Sequence, residues 1–327
     1  MSLLRRNIPL LASVAVYAAL YVGASLAYHH FCSLRVLINL FEENAPLGLT
    51  AVGMTFVILA GGIDLSVGSV MALCSIVIAV LIEQHGWHPL AALALALGLS
   101  TLLGTGMGCI IHYLQIAPFI VTLAGMFFAR GLALIISVEP VPIRAAGHAW
   151  LGGLGIPLTG QLDIPITALV FLGALFVAAY VTVLTPIGRS VYALGGDEEA
   201  ALLMGLRIGR TKVFVYTVSG FCSGLAGVLF TLYQSAGNPS AGVGMELDAI
   251  AAVVVGGTLL TGGVGGVCGT LIGVLIFGTI QTAIIFDGRL SSWWTRVAIG
   301  TLLLLFVLLQ RALTSATGRR KAQHVSG

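Results

Sequence analysis

Among the ionisable side chains that interrupt long apolar runs, four stand in the most distinctive stretches. Asp64 stands in "ILAGGIDLSVGSVMAL", Arg130 in "VTLAGMFFARG", and Glu246 and Asp248 head "ELDAIAAVVVGGTLLTGGVGGVCGTL". Such groups can carry a proton or a coupling ion, line a polar path, or close off a helix end. Catalysis is harder to assemble. No nucleophile sits beside a base, and no G-x-x-x-x-G-K-[ST] or complete G-x-G-x-x-G is present to cradle a phosphate. Cys32, Cys74, Cys109, Cys222 and Cys268 are scattered without ligand spacing, which points to packing. His29-His30 and the pair His85 and His88 flank turns with no thiol or carboxylate cluster beside them. Neither an enzyme nor a metal site is expected, and no cofactor on this chain.

The elements that must hold these residues are read from composition. Of 327 residues, 58% are hydrophobic and 8% charged, against about 25% charged in a soluble domain. Runs of roughly 20 apolar residues recur, each long enough to cross a ~30 Å hydrocarbon core as a helix. The ~10-residue alternating segments of a β-barrel are missing. The chain therefore reads as an all-α polytopic membrane protein forming one transmembrane domain over residues 1–327.

Ten spans are expected, near 8–28, 36–60, 65–83, 89–112, 117–138, 164–184, 211–233, 247–260, 265–286 and 292–311. The N-terminus resembles a signal peptide, with Arg5 and Arg6 before an apolar stretch. Its apolar run, Ile8 to Tyr28, exceeds a 7–15-residue h-region and reads as a first span. With the N-terminus inside, ten basic residues fall on the inner side: Arg5, Arg6, Arg189, Arg207, Arg210, Lys212, Arg311, Arg319, Arg320 and Lys321. Three, Arg35, Arg144 and Arg289, fall outside. The positive-inside rule then puts both termini in the cytosol. Loop 185–210 is inside, and the Pro- and Gly-rich loop 139–163 is outside.

Two spans are broken by glycine. Gly61-Gly62 precedes Asp64, and Gly256-Gly257 precedes a second hydroxyl- and glycine-rich stretch. Paired interruptions in two halves of a transporter point to its pathway. Asp64 has two compatible readings. It caps the following helix once Gly61 and Gly62 close the preceding one, or it takes part in the gate. Arg130 snorkels or pairs with a carboxylate. Glu246 and Asp248 cap at the outer interface. Phe56, Phe119, Phe127 and Phe128 pack or stack on a sugar ring.

The inner loop holds a short helix: Asp197 as N-cap, Glu198 and Glu199 in the positive first turn, Ala200 to Met204 as helix formers, and Gly205 as the stop. Leu202, Leu203, Met204 and Leu206 are left with nothing of their own to bury against. They need either a partner surface or the bilayer interface.

The quoted stretches, with "YALGGDEEAALLMGL" and "FDGRLSSWWTRVAIG", closely resemble the permeases of bacterial sugar ABC importers of the ribose/xylose type. They look nearest to one permease of the galactofuranose importer. The resemblance implies an inner-membrane complex of two paired permeases, the second a related but different chain. Two ATPase subunits holding ATP and Mg and a periplasmic sugar-binding protein complete it, with no nucleic acid. It also implies that Asp197–Leu206 is the coupling helix, seated on the ATPase. Alternating access would rock the spans about the breaks at Gly61, Gly62, Asp64, Gly256 and Gly257. Sugar would meet hydroxyls and amides such as Asn44, Thr55, Ser66 and Ser69, with Phe56 as an aromatic neighbour. The alternative is an ion-coupled secondary transporter using Asp64, Arg130 and Glu246.

Overall fold

The computed structural model describes residues 8–159, 162–289, 291, 293–306 and 308. Fourteen helices are followed along these residues. They are α1 Ile8–Ala27, α2 Leu34–Glu43, α3 Ala45–Leu59, α4 Val67–Glu83, α5 Pro89–Tyr113, α6 Pro118–Ile136, α7 Ala146–Gly152, α8 Ile166–Leu184, α9 Pro186–Gly196, α10 Glu198–Leu203, α11 Ile208–Gln234, α12 Met245–Val255, α13 Val267–Asp287 and α14 Trp293–Phe306. Four short strands join them: β1 Val141–Pro142, β2 Gly155–Thr159, β3 Leu162–Pro165 and β4 Ala236–Gly237. The pair β2–β3 forms a hairpin, and β1 pairs with the distant β4, both antiparallel.

Six helices (α1, α5, α6, α8, α11 and α13) are long and apolar enough to cross a bilayer, and α3, α4 and α14 are shorter apolar helices. This is an all-α polytopic membrane protein. The basic residues Arg5, Arg6, Arg311, Arg319, Arg320 and Lys321, which carry much of the orientation argument, lie outside the described residues.

Lipid is as apolar as leucine, so helices in a membrane associate by close packing rather than by hydrophobic transfer. That explains the 43 glycines. Nearly every residue of α3 and α4 is buried, and α11 lies against α3, α4 and α5 along a seam of small residues. A Cβ on Gly53 would come 2.9 Å from the Ser219 Cα, one on Gly220 2.9 Å from the Gly104 Cα, and one on Gly227 2.7 Å from the Met71 carbonyl oxygen. Helices α1, α5, α6 and α8 expose apolar side chains such as Leu26, Leu102, Phe127 and Phe176 on the outside of the bundle.

The connections sort to two ends. At the hairpin end, the Glu83 carboxylate accepts the amides of Arg144 and Ala145 at the start of α7. Tyr28 and Phe31 there pack on Phe286. At the opposite, elbow end lie α9, α10 and the two breaks.

Two expected spans and one expected loop differ in the structure. The 36–60 segment is two helices, because the Asn44 side chain turns back to the Leu40 carbonyl (2.8 Å) and Pro46 opens α3. A proline there has no amide to continue α2. The 247–260 segment is helical only over the 11 residues of α12. Loop 185–210 contains two helices, with Thr185 capping α9 by accepting the Gly188 amide at 3.2 Å.

At the hairpin end, α7 seats His148, 1% exposed, with Nε2 3.4 Å from the Thr231 hydroxyl. Burial holds its pKa below the ordinary 6.5, and the Glu83 carboxylate opposes that shift more weakly. The folded protein thus keeps a neutral imidazole where the unfolded chain takes up a proton. Stability should be full above about pH 6.5 and fall as pH drops below it, by at most ~1.4 kcal/mol per pH unit. Thermal unfolding of the detergent-solubilised protein between pH 7.5 and 5.5 should show this slope, and His148→Gln should flatten it.

Candidate functional site

The elbow is built by local rules. Asp197 is extended (φ −164°), and its Oδ1 accepts the Ala200 amide at 3.0 Å, opening α10. Glu198 and Glu199 occupy the first turn, and Glu198 is tied to Lys212 on α11 at 2.6 Å. Gly205 ends the helix in the left-handed region (φ +78°). Its amide goes to Leu202 O (2.9 Å) and that of Leu206 to Ala201 O (3.1 Å). This closure is the one glycine makes without strain. Ala201 faces inward at 0% exposure, whereas Leu202, Leu203 and Met204 are 63, 89 and 67% exposed. Leu206 is half-buried.

Both breaks use the same closure. After α3, Gly61 (φ +80°) donates to Ile58 O and Gly62 to Val57 O, each at 2.9 Å. After α12, Gly257 (φ +96°) donates to Val254 O at 2.9 Å and Thr258 to Val253 O at 3.2 Å. Gly61 therefore corresponds to Gly257, and the two glycine pairs sit one residue out of register. Gly256 matches Ala60, and its own reason for being glycine is packing against Gly269 of α13.

Asp64 is 1% exposed. Its Oδ1 accepts the Ser66 amide (2.9 Å) and hydroxyl (2.6 Å), and its Oδ2 accepts the Ser219 hydroxyl of α11 (2.7 Å). The carboxylate closes the turn ahead of α4, which makes no side-chain cap of its own at Ser66. It also fastens break 1 to α11.

Backbones from three distant segments meet at the elbow end. The Gly263 amide donates to Leu59 O, the last carbonyl of α3, at 3.0 Å. Gly195, at the end of α9, lies against both: a Cβ there would collide with Leu59 O and come 2.7 Å from the Gly263 nitrogen. The Tyr192 hydroxyl donates to Gly265 O at 2.9 Å. A cavity of about 540 Å³ opens beside this junction, bordered by Thr182, Arg189, Tyr192, Gly257 and Cys268.

The remaining polar pathway candidates lie inside the bundle. Thr55 and Thr270 share a hydrogen bond of 2.6 Å between α3 and α13, Asn44 packs on Gly278, and Ser69 is buried without a hydrogen-bond partner among the described residues. Phe56 is 2% exposed, edge-on to Phe214 at 6.2 Å, whereas Phe119, Phe127 and Phe128 are exposed. Arg130 donates to the carbonyls of Pro239 (2.6 Å) and Ala241 (2.8 Å). Among the described residues no group of three His, Cys, Asp or Glu side chains is placed to hold a metal. Sequence reading missed Gly195, Gly263, Ser219 and Tyr192. The Gly195-Gly196 and Gly262-Gly263 doublets were the available signals for the two glycines; Ser219 and Tyr192 carry none locally.

Comparison with known proteins adds the family. Residues 36–308 match the family described as "Branched-chain amino acid transport system / permease component". The chain is 45% identical over 324 residues to the inner membrane ABC transporter permease protein YjfF of Escherichia coli K12, covering 99% of this chain and 98% of that one. It is 42% identical over 278 residues to the ribose import permease RbsC of Bacillus subtilis, 84% of each chain. To the fructose import permease FruG of Bifidobacterium longum it is 33% identical over 324 residues, 97% of this chain and 94% of that one.

The junction makes a graded prediction. Gly195→Ala should destabilise the protein by about 1–3 kcal/mol, the usual cost of overpacking against backbone. Gly196→Ala, whose Cβ meets nothing within 4 Å, should change stability by no more than about 0.5 kcal/mol. Unfolding midpoints of the two variants side by side check it.

Proposed function

We propose, because the chain belongs to this family of ABC-importer permease components, that it conducts a neutral monosaccharide through the inner membrane, driven by a motor gripping the Asp197–Leu206 elbow. The coarser part is established: this is a multi-pass inner-membrane permease component of a sugar ABC importer, not an enzyme. Its importer is a multi-subunit assembly of permeases, ATPase and binding protein.

The observation that carries the coupling reading is the exposed trio Leu202, Leu203 and Met204 on a helix fixed at both ends. It supports a docked partner better than a free surface does, since three adjacent large apolar side chains gain little in water. In this reading the ATPase binds ATP and Mg and closes on α10. The displacement passes along α9 to Gly195, and from there to Leu59 and Gly263 at the two breaks. Both termini lie in the cytosol with the elbow, and a periplasmic binding protein delivers sugar at the hairpin end. The second permease is a related but different chain.

Galactofuranose is the specific cargo proposed from the sequence resemblance; the names of the relatives add ribose and fructose as candidates. The ion-coupled alternative loses Asp64 and Arg130 as carriers, because both are engaged by their own chain.

One reconstitution tests both parts. In proteoliposomes holding the complete importer, labelled galactofuranose, ribose and fructose are offered with and without ATP. Uptake of one of them should require ATP and survive collapse of ion gradients. Leu203→Arg or Met204→Arg should leave the complex assembled in the membrane but cut sugar-stimulated ATP hydrolysis at least tenfold. Unchanged stimulation removes the coupling role from α10.

A further inference from the structure

The segment between α11 and α12 does not stay at the surface. Gly237 packs against Ser75 and Ala79 of α4, the Asn238 amide donates to the Ser75 hydroxyl at 3.1 Å, and Gly242 lies against Gly68 and Met71. Glu83, at the hairpin end of α4, marks that surface. At ~1.5 Å per residue, Ser75 lies about 12 Å and Gly68 about 22 Å below it. Residues 238–244 therefore descend about 10 Å, reaching roughly two-thirds of the depth of a ~30 Å hydrocarbon core, without forming a helix. Only then does α12 begin, and its 11 residues complete the crossing.

Unwound backbone at this depth is tolerated only where protein buries it or water reaches it. One side of the segment is secured by protein. Arg130 holds the Pro239 and Ala241 carbonyls, the Ala241 amide returns to Asn238 O (3.1 Å), and the Ser240 amide to Asn238 Oδ1 (2.9 Å). The other side is open. Ser240 is exposed and Asn238 and Glu246 are half-buried. The amides of Val243 and Gly244 form no hydrogen bond among the described residues. Lipid there would leave two amides, a hydroxyl and a carboxylate unsolvated, at several kcal/mol for each unsatisfied backbone group. A dry protein cover would have to bring a partner for each of them. Water satisfies them.

We infer that Asn238, Ser240, Glu246 and the amides of Val243 and Gly244 form a polar strip on the wall of the translocation path, where a neutral polyhydroxylated solute is hydrogen-bonded in transit. Its chemistry fits that solute class. A carboxylate accepts sugar hydroxyls, amides and the Asn238 Nδ2 donate to them, and Ser240 does either. The charges nearby balance, with Arg130 close to Glu246 and Arg296 close to Asp248, so no net field selects an anion or a cation. Arg130 is the positioning residue, holding the strip's backbone from behind. The strip rests on the permease reading above, but not on where the motor grips.

The test is water access in the complete importer, in spheroplasts, with the exposed thiols Cys32 and Cys268 replaced by serine. Ser240→Cys should react with a membrane-impermeant maleimide at least tenfold faster than Leu102→Cys, whose side chain is 71% exposed on the apolar outside of α5. Millimolar galactofuranose, ribose or fructose, whichever the complex imports, should slow that reaction at least threefold. Equal rates for the two cysteines would overturn the placement in a water path. Fast labelling that none of the three sugars slows would overturn the solute contact. If the Ser240→Cys complex does not assemble, Asn238→Cys is read in the same way. Labelling needs no ATP turnover, so loss of coupling at α10 and absence of the path are separately visible.

Discussion

The constraint behind this architecture is that a peptide group in hydrocarbon must find its partner within the protein. A continuous helix meets it automatically; a break must meet it by design. At break 1 the solution is a buried carboxyl group. Asp64 gathers three donors, two from its own turn and one from α11. Bonds to a charged acceptor are worth about 1.5–3 kcal/mol each, roughly twice a neutral bond. The carboxylate is therefore affordable at this depth only because every donor is in place. Its burial and its bonding are one fact.

Close backbone approach is the second consequence. Where two helices lack a hydrophobic drive to associate, missing side chains let their dispersion surfaces meet, and α11 uses this along much of its length. At the elbow end the same device joins segments that are not neighbours in sequence. The end of α9, the end of α3 and the loop after α12 touch through Gly195, Leu59 and Gly263 with no side chain between them. Packed backbone is stiff, because it has no rotamers through which to absorb a displacement. In the coupling proposed for the elbow, a push there would reach both breaks with little lost on the way.

The sequence showed some of this plainly and some not at all. Long apolar helices announce themselves by length, and Asp197 and Gly205 mark the elbow helix by local chemistry. The joint at Asn44 was legible in Glu42-Glu43-Asn44 followed by Pro46, but the apolar runs on either side read as one span. The glycine doublets pointed to both breaks but not to their alignment, since Gly61 and Gly257 correspond through φ and hydrogen bonding rather than through the paired letters. The three-way junction was invisible because each contact links residues more than sixty positions apart. The descent of residues 238–244 looked like an ordinary loop, for nothing in Asn, Pro, Ser and Gly distinguishes a surface turn from one buried beside α4.

The two breaks are alike in closure but unequal in strength. Break 1 is bolted to α11 by a carboxylate with bonds of 2.6 to 2.9 Å. Break 2 has a neutral hydroxyl, Thr258, accepting the Gly266 amide at 3.4 Å, together with glycines at φ +85°, +71° and +133° in Gly262, Gly263 and Gly265. It also spans residues 256–266, against 60–66 for break 1, so its ends are less constrained. A displacement shared through the Gly263–Leu59 bond must be taken up mainly by the weaker side. The cavity of about 540 Å³ lies on that side, between α8, α9 and the start of α13. It supplies the free volume into which the loop after α12 can move while α3, α4 and α11 stay locked.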